Sequence, residues 1–461
     1  MKIIKTAELT HALKKARHFS DTFPSTVPVL DVWHKAKAKA ASFLPLIFIL
    51  AFAAGIYLGA ASEKLSNVVN ASAEAFIDWY SYGAPVLIFL VLAPVLSRIF
   101  STKTRGKFGL YVIAWLGATK IFALLWAVLF TVVVFGLPFL PQDSVSIQGA
   151  LVQTLKSLVS TLTQSQFFWA IYAAVAVGLV AIRVKPLATL LEKGVTTIEY
   201  AGQYMQPIIP LLMFAVGVYV QSIPRQVEKL GIDSSVVSLS TVSVLGWHLD
   251  PTTTSGMVTV YIVGSLLVAV ACFIFHFGIL AFAKHKSKLF SVRDYFKNYW
   301  VKAYPLLWAT SSESLATPLN LYILRKHAPW VRPTVRRIVI GAGSVLCTNG
   351  TLICAIILLG LVGSILGIHF SMLELLLAIP VAFLISFGIP GIPGELLLFA
   401  GPLSMVLGVP PEVVPLFLTL YLGLQIGLPD SFRTGANTTN NYVYCILLNE
   451  DYEKKFLKEA Q

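Results

Sequence analysis

The sequence predicts an all-α membrane protein with eight transmembrane helices and two re-entrant helical hairpins. Of its 461 residues, 56% are hydrophobic and only 12% are charged, and the mean hydropathy is +0.77. Soluble domains carry roughly 25% charged residues. Apolar segments long enough to cross a bilayer, which takes about 20 residues, alternate with short polar loops. Two later apolar segments are interrupted in the middle, which predicts hairpins rather than simple spans.

Uninterrupted apolar segments form the first part of the chain. We expect helices at about 42–62, 76–100, 107–137, 166–184, 190–222 and 257–283. Lysine and arginine collect in the N-terminal segment and in every second loop, the pattern of loops that remain on the cytoplasmic side. The net charge of +13 therefore reflects topology and not nucleic-acid binding. Both termini are predicted to be cytoplasmic, in a multi-pass protein of the cell membrane.

The last third of the chain contains two broken apolar segments. Residues 295–327 are interrupted by TSSESLATP, and residues 371–407 are interrupted by GIPGIPG. Non-helical backbone is tolerated at membrane depth only where it is buried in protein or lines a wet cavity. Each segment is therefore predicted to be a re-entrant hairpin whose tip meets a functional site.

Each predicted hairpin is followed by a helix with its own polar interruption. The sequence CTNGT interrupts residues 333–366, and DSFRTGANTTNN at 430–441 interrupts residues 411–448. Two units of hairpin plus interrupted helix, entering from opposite sides, indicate an inverted repeat with a binding site near the membrane midplane.

Asp430, Arg433 and Asn437 share one face of the last predicted helix, because they are three and four residues apart. Ionisable residues inside a membrane indicate function. Arginine binds a carboxylate in bidentate fashion, and the aspartate can accept a hydrogen bond from an ammonium group, so the pair suits an amino acid. The alternative is a buried ion pair that only neutralises itself.

These motifs resemble, in order and separation, those of the dicarboxylate/amino acid:cation symporter family, which includes the glutamate transporters. The matching pieces are the serine-rich tip SSES, Asn349-Gly350-Thr351, the second tip GIPG, and the D-x-x-R-T-x-x-N sequence that begins at Asp430. The resemblance implies an elevator-type transporter rather than an enzyme, assembled as a homotrimer, with the second hairpin as outer gate.

The resemblance also implies a division of the chain. The expected parts are a cytoplasmic N-terminal lead-in at 1–41, mainly scaffold and trimerisation helices at 42–256, a transport core at 257–448 and a cytoplasmic tail at 449–461. The third helix is expected to move with the transport core.

The substrate site is expected at the two tips and on the two interrupted helices. Its predicted members are Ser312, Glu313, Ser314, Thr351, Gly388, Ile389, Pro390, Gly391, Asp430, Arg433, Thr434 and Asn437. By the resemblance, Thr351 and Asn437 hydrogen-bond the substrate, and the tip backbone holds its main carboxylate. Exposed amides at the N-termini of half-helices favour anions, which agrees with that role.

Three positions depart from the family's usual pattern. Asn349 and Asn441 stand where sodium-coupled members usually carry carboxylates, and a hard cation prefers anionic oxygens. The sequence therefore predicts altered or absent sodium coupling. Glu313 stands at a tip position where serine is usual. We consider it either a proton carrier or a solvated tip residue on the cytoplasmic side.

Lys120 lies deep in the third predicted helix, thirteen residues beyond Lys107. Alignment with the family places Thr119 and Lys120 where that helix supplies hydroxyl groups to a sodium site. Our hypothesis is that the ammonium replaces a bound sodium ion near Asn349. The alternatives are a proton-carrying lysine and a scaffold-facing lysine that is paired elsewhere. The expected cation site or its surrogate comprises Thr119, Lys120, Cys347, Asn349, Asn437 and Asn441.

The favoured function is secondary active transport of an amino acid, with an acidic one such as glutamate or aspartate as first candidate. The alternatives are a C4-dicarboxylate carrier, a neutral amino acid carrier, a channel, and an intramembrane hydrolase that uses Ser312 or Ser314. The expected partners are the substrate and membrane lipids. No cofactor is expected apart from a coupling ion, either sodium or a proton. Glu395 is expected to face outer water, and His276 to make a hydrogen bond between helices.

Overall fold

The computed structural model describes residues 47–100, 103–141, 209–229, 239–310, 313–387 and 395–456, together with parts of 152–194. Most of these residues are α-helical, and the predicted all-α class is confirmed. The predicted lead-in, Ser312 and the tip residues Gly388 to Gly391 lie outside the described residues, as does the end of the predicted tail from residue 457.

The helices are labelled here in chain order. Those before residue 290 are α1 (Ile47–Ala61), α2 (Glu63–Phe100), α3 (Lys103–Phe135), α4 (Gln166–Ala181), α5 (Ile209–Lys229) and α6 (Thr254–Lys286). Those after it are α7 (Val301–Thr310), α8 (Glu313–His327), α9 (Pro333–Leu346), α10 (Asn349–Ile365), α11 (Met372–Ile385), α12 (Leu397–Val406), α13 (Val414–Gln425) and α14 (Leu428–Lys455). A one-turn helix, Val292–Asp294, and a π-helix, Tyr295–Trp300, lead into α7.

Among the described helices, two are long and apolar enough to cross a membrane by themselves. They are Lys107–Phe135 within α3 and Ser255–Lys286 within α6, with 29 and 32 residues. The helices Ile47–Ala61 and Glu63–Ser72 meet the same criterion only as a pair, and the chain bends by 120° between them. The sequence predicted helices at all of these places except Glu63–Ser72.

The first part of α2 was predicted to be a loop. We expected the polar sequence SEKLSN to connect two helices, with the second beginning near residue 76, but α2 is continuous from Glu63 to Phe100. Glutamate, lysine and leucine are good helix formers, and Glu63 lies in the first turn, where a negative charge is favourable. Polarity alone therefore gave the wrong boundary.

A small β-hairpin before α6 was not predicted. Strand β1 (Val242–Val244) pairs antiparallel with β2 (Trp247–Leu249). Leu245 and Gly246 connect them with φ angles of 49° and 83°, and positive φ at both central residues is the geometry of a two-residue hairpin turn. Each strand has only three residues, too few for an alternating pattern to be visible in the sequence.

The two interrupted helices differ in how well they were predicted. The interruption at CTNGT is confirmed, since α9 ends at Leu346 and α10 begins at Asn349. The predicted interruption at 430–441 is wrong, because that segment is helical throughout within α14. The break lies earlier, at Gly427, between the end of α13 and the start of α14. Its φ of 85° is not helical and is readily adopted by glycine.

Helix α14 is the centre of the described packing. It contacts α6, α7, α9 and α10, and α3 packs against α10 and α11. All residues of α10 are buried. A close approach at Gly350 brings the start of α10 onto α14: a Cβ there would lie 3.0 Å from Asn437 Oδ1. The N-terminal ends of α10 and α14 thus bring the predicted site residues together.

Candidate functional site

Arg433 holds two carboxylates inside the protein. Its Nε donates a hydrogen bond to Asp430 Oδ1 at 2.7 Å, and Nη2 donates to the same oxygen. Nη1 donates to Glu395 Oε1. The side chains of the three residues are at most 2% exposed. Asp430 and Arg433 therefore lie together on one helical face, where they form the ion pair of the alternative interpretation, and a second carboxylate shares the guanidinium.

Thr351 and Asn437 connect this cluster to α10. Thr351 Oγ1 accepts hydrogen bonds from Arg433 Nη1 at 2.8 Å and from Asn437 Nδ2 at 2.7 Å, and it donates to Glu395 Oε1 at 3.0 Å. Asn437 Oδ1 accepts from the backbone amides of Gly350 and Thr351, at 2.6 and 3.1 Å. The Asn437 side chain thus binds the first turn of α10, where helical amides lack intrahelical acceptors.

Glu313 reaches the same cluster from the other side. It is the first residue of α8, and its side chain is buried. Its Oε1 accepts a hydrogen bond from Asn437 Nδ2 at 2.6 Å. The alternative of a solvated tip residue is therefore wrong, because the start of α8 faces α14 rather than water. Glu313, in the first tip, accepts from Asn437, and Glu395, just after the second tip, accepts from Thr351.

Not all the predicted residues join this network within the described part of the chain. The hydroxyl of Thr434 donates to the Asp430 carbonyl oxygen at 2.8 Å, within α14. Ser314 lies in the first turn of α8. Ser312 and the segment Gly388 to Gly391 lie outside the described residues.

Glu395 is the site residue that sequence reasoning missed. We expected it to face outer water, but its carboxylate lies on Arg433 and Thr351. The expectation failed because the GIPGIPG sequence was interpreted as a gate, so the residue after it was placed at the gate mouth. A signal was present: Glu395 precedes the apolar run LLLFAGP, and an ionisable residue in an apolar membrane segment indicates a site.

Of the positions expected to form the cation site, Cys347 and Asn349 lie at the break between α9 and α10. Asn349 Nδ2 donates to the Tyr444 hydroxyl at 3.0 Å, and Cys347 Sγ lies 3.1 Å from the Asn437 carbonyl oxygen. Several buried polar atoms here have no hydrogen-bond partner among the described residues: Thr348 Oγ1, Asn349 Oδ1, and both Oδ1 and Nδ2 of Asn441. Unpaired buried polar atoms are costly, so the break is a polar site suited to water or a weakly held cation.

Lys120 is fully buried and contacts the second hairpin. Its ammonium donates to the carbonyl oxygen and the hydroxyl of Ser386, at 3.0 and 2.9 Å, and lies 3.9 Å from the centre of the Phe387 ring. These bonds go to the turn after α11 and not to carbonyls near Asn349, because α3 packs against α11 as well as α10. The neighbouring Thr119 hydroxyl donates to the Leu116 carbonyl oxygen within α3.

His276 makes the expected hydrogen bonds between helices. Its Nδ1 lies 2.7 Å from Asn440 Oδ1, and its Nε2 lies 2.9 Å from the Tyr295 hydroxyl. A histidine satisfied on both nitrogens holds α6 against α14, and nothing in this geometry requires it to bind substrate.

The site thus has one buried guanidinium among carboxylates, hydroxyls and amides at the meeting of two helix N-termini. Such a set can hold a small molecule that carries both positive and negative groups, since each has an opposite partner. Among the described residues, the Arg433 guanidinium and the Thr351 hydroxyl are already hydrogen-bonded within the protein, so a ligand that binds these two groups has to replace existing contacts.

Comparison with known proteins agrees with this interpretation. The chain matches the model of the sodium:dicarboxylate symporter family over residues 44–451, and no curated protein gives a significant match. Members of that family are all-helical elevator transporters of the membrane, not enzymes. The match covers most of the 461 residues. The chain therefore belongs to the sodium:dicarboxylate symporter family.

Proposed function

We propose that this transporter carries an amino acid, with aspartate or glutamate as the first candidate. The observation that supports this most is the contact of Glu395 with Arg433 and Thr351. The carboxylate of this glutamate accepts a hydrogen bond from the Arg433 guanidinium, the group that we propose binds the substrate's side-chain carboxylate. The subsite is thus complementary to the group that distinguishes acidic from neutral amino acids.

Asp430 favours an amino acid over a C4-dicarboxylate. A dicarboxylate such as succinate has no ammonium group, and it would bring two further carboxylates to a buried cluster that already contains Glu313, Glu395 and Asp430. Like charges at close range repel strongly where water is excluded. An amino acid brings its own positive charge for Asp430.

We further propose that coupling differs from the usual sodium scheme. Asn349 and Asn441 offer neutral amide oxygens, while the ammonium of the buried Lys120 donates to the Ser386 oxygens on the adjoining second hairpin. A fixed ammonium satisfied by neutral acceptors removes the need for a bound cation. Glu313, buried against the Asn437 amide, is the candidate proton carrier.

The packing is consistent with the proposed division into scaffold and transport core. Helix α2 packs against α4 and α5, while α3 packs against α10 and α11. Under this proposal α3 travels with the core, and the scaffold helices form the homotrimer contacts. Both termini are placed in the cytoplasm.

Uptake into proteoliposomes tests the proposal. Labelled aspartate, glutamate, serine and succinate are supplied in parallel, each with a sodium, potassium or proton gradient. We expect uptake of aspartate or glutamate, with only weak inhibition by succinate. We expect this uptake to continue in the absence of sodium. Saturable uptake of succinate alone would overturn the amino acid assignment, and a strict sodium requirement would overturn the coupling proposal.

A further inference from the structure

Glu395 and Thr351 make a closed arrangement that a substrate has to open. A hydroxyl group can donate one hydrogen bond and accept two. Thr351 Oγ1 uses all three: it accepts from Arg433 and Asn437, and it donates to Glu395. Thr351 can therefore donate to a substrate carboxylate only after its hydrogen bond to Glu395 has broken.

The guanidinium is occupied in the same way. Its Nε and Nη2 are directed to Asp430, and its Nη1 to Thr351 and Glu395. A substrate carboxylate placed on Nη1 would be a third carboxylate around one buried positive charge. Because water is excluded here, the repulsion among these carboxylates is poorly screened. Glu395 and an acidic side chain therefore compete for one subsite.

We propose that Glu395 is a specificity-determining residue that gives this transporter a second substrate class, the small neutral amino acids. A neutral amino acid binds while Glu395 remains on Arg433 and Thr351, since the protein itself supplies the carboxylate that this substrate lacks. An acidic amino acid binds by displacing Glu395 from both groups. The inference rests on the proposed function, in which Arg433 forms the subsite for the substrate's side-chain carboxylate.

The position of Glu395 in the chain suits a displaceable group. It lies two residues before Leu397, where α12 begins, so its side chain is carried by a turn rather than by the middle of a helix. Asp430, in contrast, is in the first turn of α14 and bonds the guanidinium three residues away on the same helix. Of these two carboxylates, Asp430 is held at a fixed helical spacing from Arg433, whereas Glu395 comes from a turn of another segment and can move away together with that turn.

Binding of aspartate and serine to the purified full-length protein tests the proposal. Glu395→Gln keeps the size of the side chain and removes its charge. We expect the dissociation constant for aspartate to fall roughly tenfold, because its side-chain carboxylate no longer competes with Glu395 for Arg433. A tenfold change corresponds to about one charge-assisted hydrogen bond. We expect the constant for serine to rise, or to fall by less than about twofold, because serine does not compete with Glu395 and the variant lacks the carboxylate that partners Arg433 while serine is bound. Glu395→Asp, which keeps the charge, should retain a ratio closer to that of the unaltered protein.

Glu412→Gln is the matched control, because Glu412 is exposed and lies outside the site; it should leave both constants unchanged. Thermal unfolding of each variant checks that folding is intact. The inference is overturned if the unaltered protein does not bind serine, or if the ratio of the aspartate and serine dissociation constants is unchanged in Glu395→Gln. In both cases, binding of aspartate still supports the proposed function. If neither amino acid binds and succinate does, the proposed function and the inference both fail.

Discussion

The ammonium of Lys120 in α3 donates hydrogen bonds to both oxygens of Ser386, in the turn after α11. The two residues are 266 positions apart, and the contact holds the first arm of the second hairpin, just before its tip, against the third helix. On the second arm, just after the tip, Glu395 is held by Arg433 and Thr351. Two buried charges thus tie the hairpin's flanks to helices outside it.

Replacing Lys120 by methionine should abolish transport or make it depend on an added cation. Methionine fills a similar volume but cannot donate to Ser386, and the buried ammonium group is lost. Uptake would be measured in sodium, potassium, lithium and choline media. Lys302→Met, at an exposed position of α7, is the control. Full cation-independent uptake by Lys120→Met would rule out the surrogate role.

Replacing Asn441 by aspartate should introduce stimulation by sodium. Neither polar atom of the Asn441 side chain has a hydrogen-bond partner among the described residues, so the new carboxylate would be an anionic oxygen in a polar site that is otherwise built of neutral groups. Hard cations prefer such ligands. Asn441→Leu, of similar volume but without oxygen, should show no stimulation. Equal sodium responses in the two variants would contradict the prediction.

Replacing Gly427 by alanine should destabilise the protein without a specific effect on substrate choice. The φ of 85° is unfavourable for a residue with a Cβ, at a cost of roughly 1–2 kcal/mol. The added carbon would also lie 2.6 Å from the Tyr261 hydroxyl, which donates to Ile426 and accepts from the Leu428 amide. Thermal unfolding in detergent measures the loss. Gly278→Ala, where nothing lies within 4 Å, is the control, and equal stability of the two variants would contradict the account.

The sequence predicted the helical class and the common face of Asp430, Arg433 and Asn437, because both depend on local signals. Apolar length identifies spans, and the spacing of Asp430, Arg433 and Asn437 places them on one helical face. The break near Cys347 was visible as a polar interruption. The polar run in α14 gave the wrong break, since its side chains bond either to the same helix, as Thr439 does to the Gly435 carbonyl oxygen, or to neighbouring helices, as Asn437 does, and neither requires the helix to break.

The remaining features depend on tertiary contacts. Nothing in the local sequence indicates that Lys120 meets Ser386, because that contact requires α3 to pack on the second hairpin. The inward direction of Glu395 likewise depends on Arg433 lying opposite. The sequence analysis therefore mainly missed contacts between residues that are far apart in the chain.

The central claim is that Arg433 binds the side-chain carboxylate of an acidic amino acid. The most direct measurement compares the affinities for aspartate and serine in the unaltered protein and in Arg433→Gln, with thermal unfolding as the folding check. Truncating one member of a buried charge pair costs about 2–5 kcal/mol. The account predicts that aspartate affinity falls at least roughly thirtyfold while serine affinity changes much less. Unchanged aspartate affinity in folded Arg433→Gln protein would contradict it.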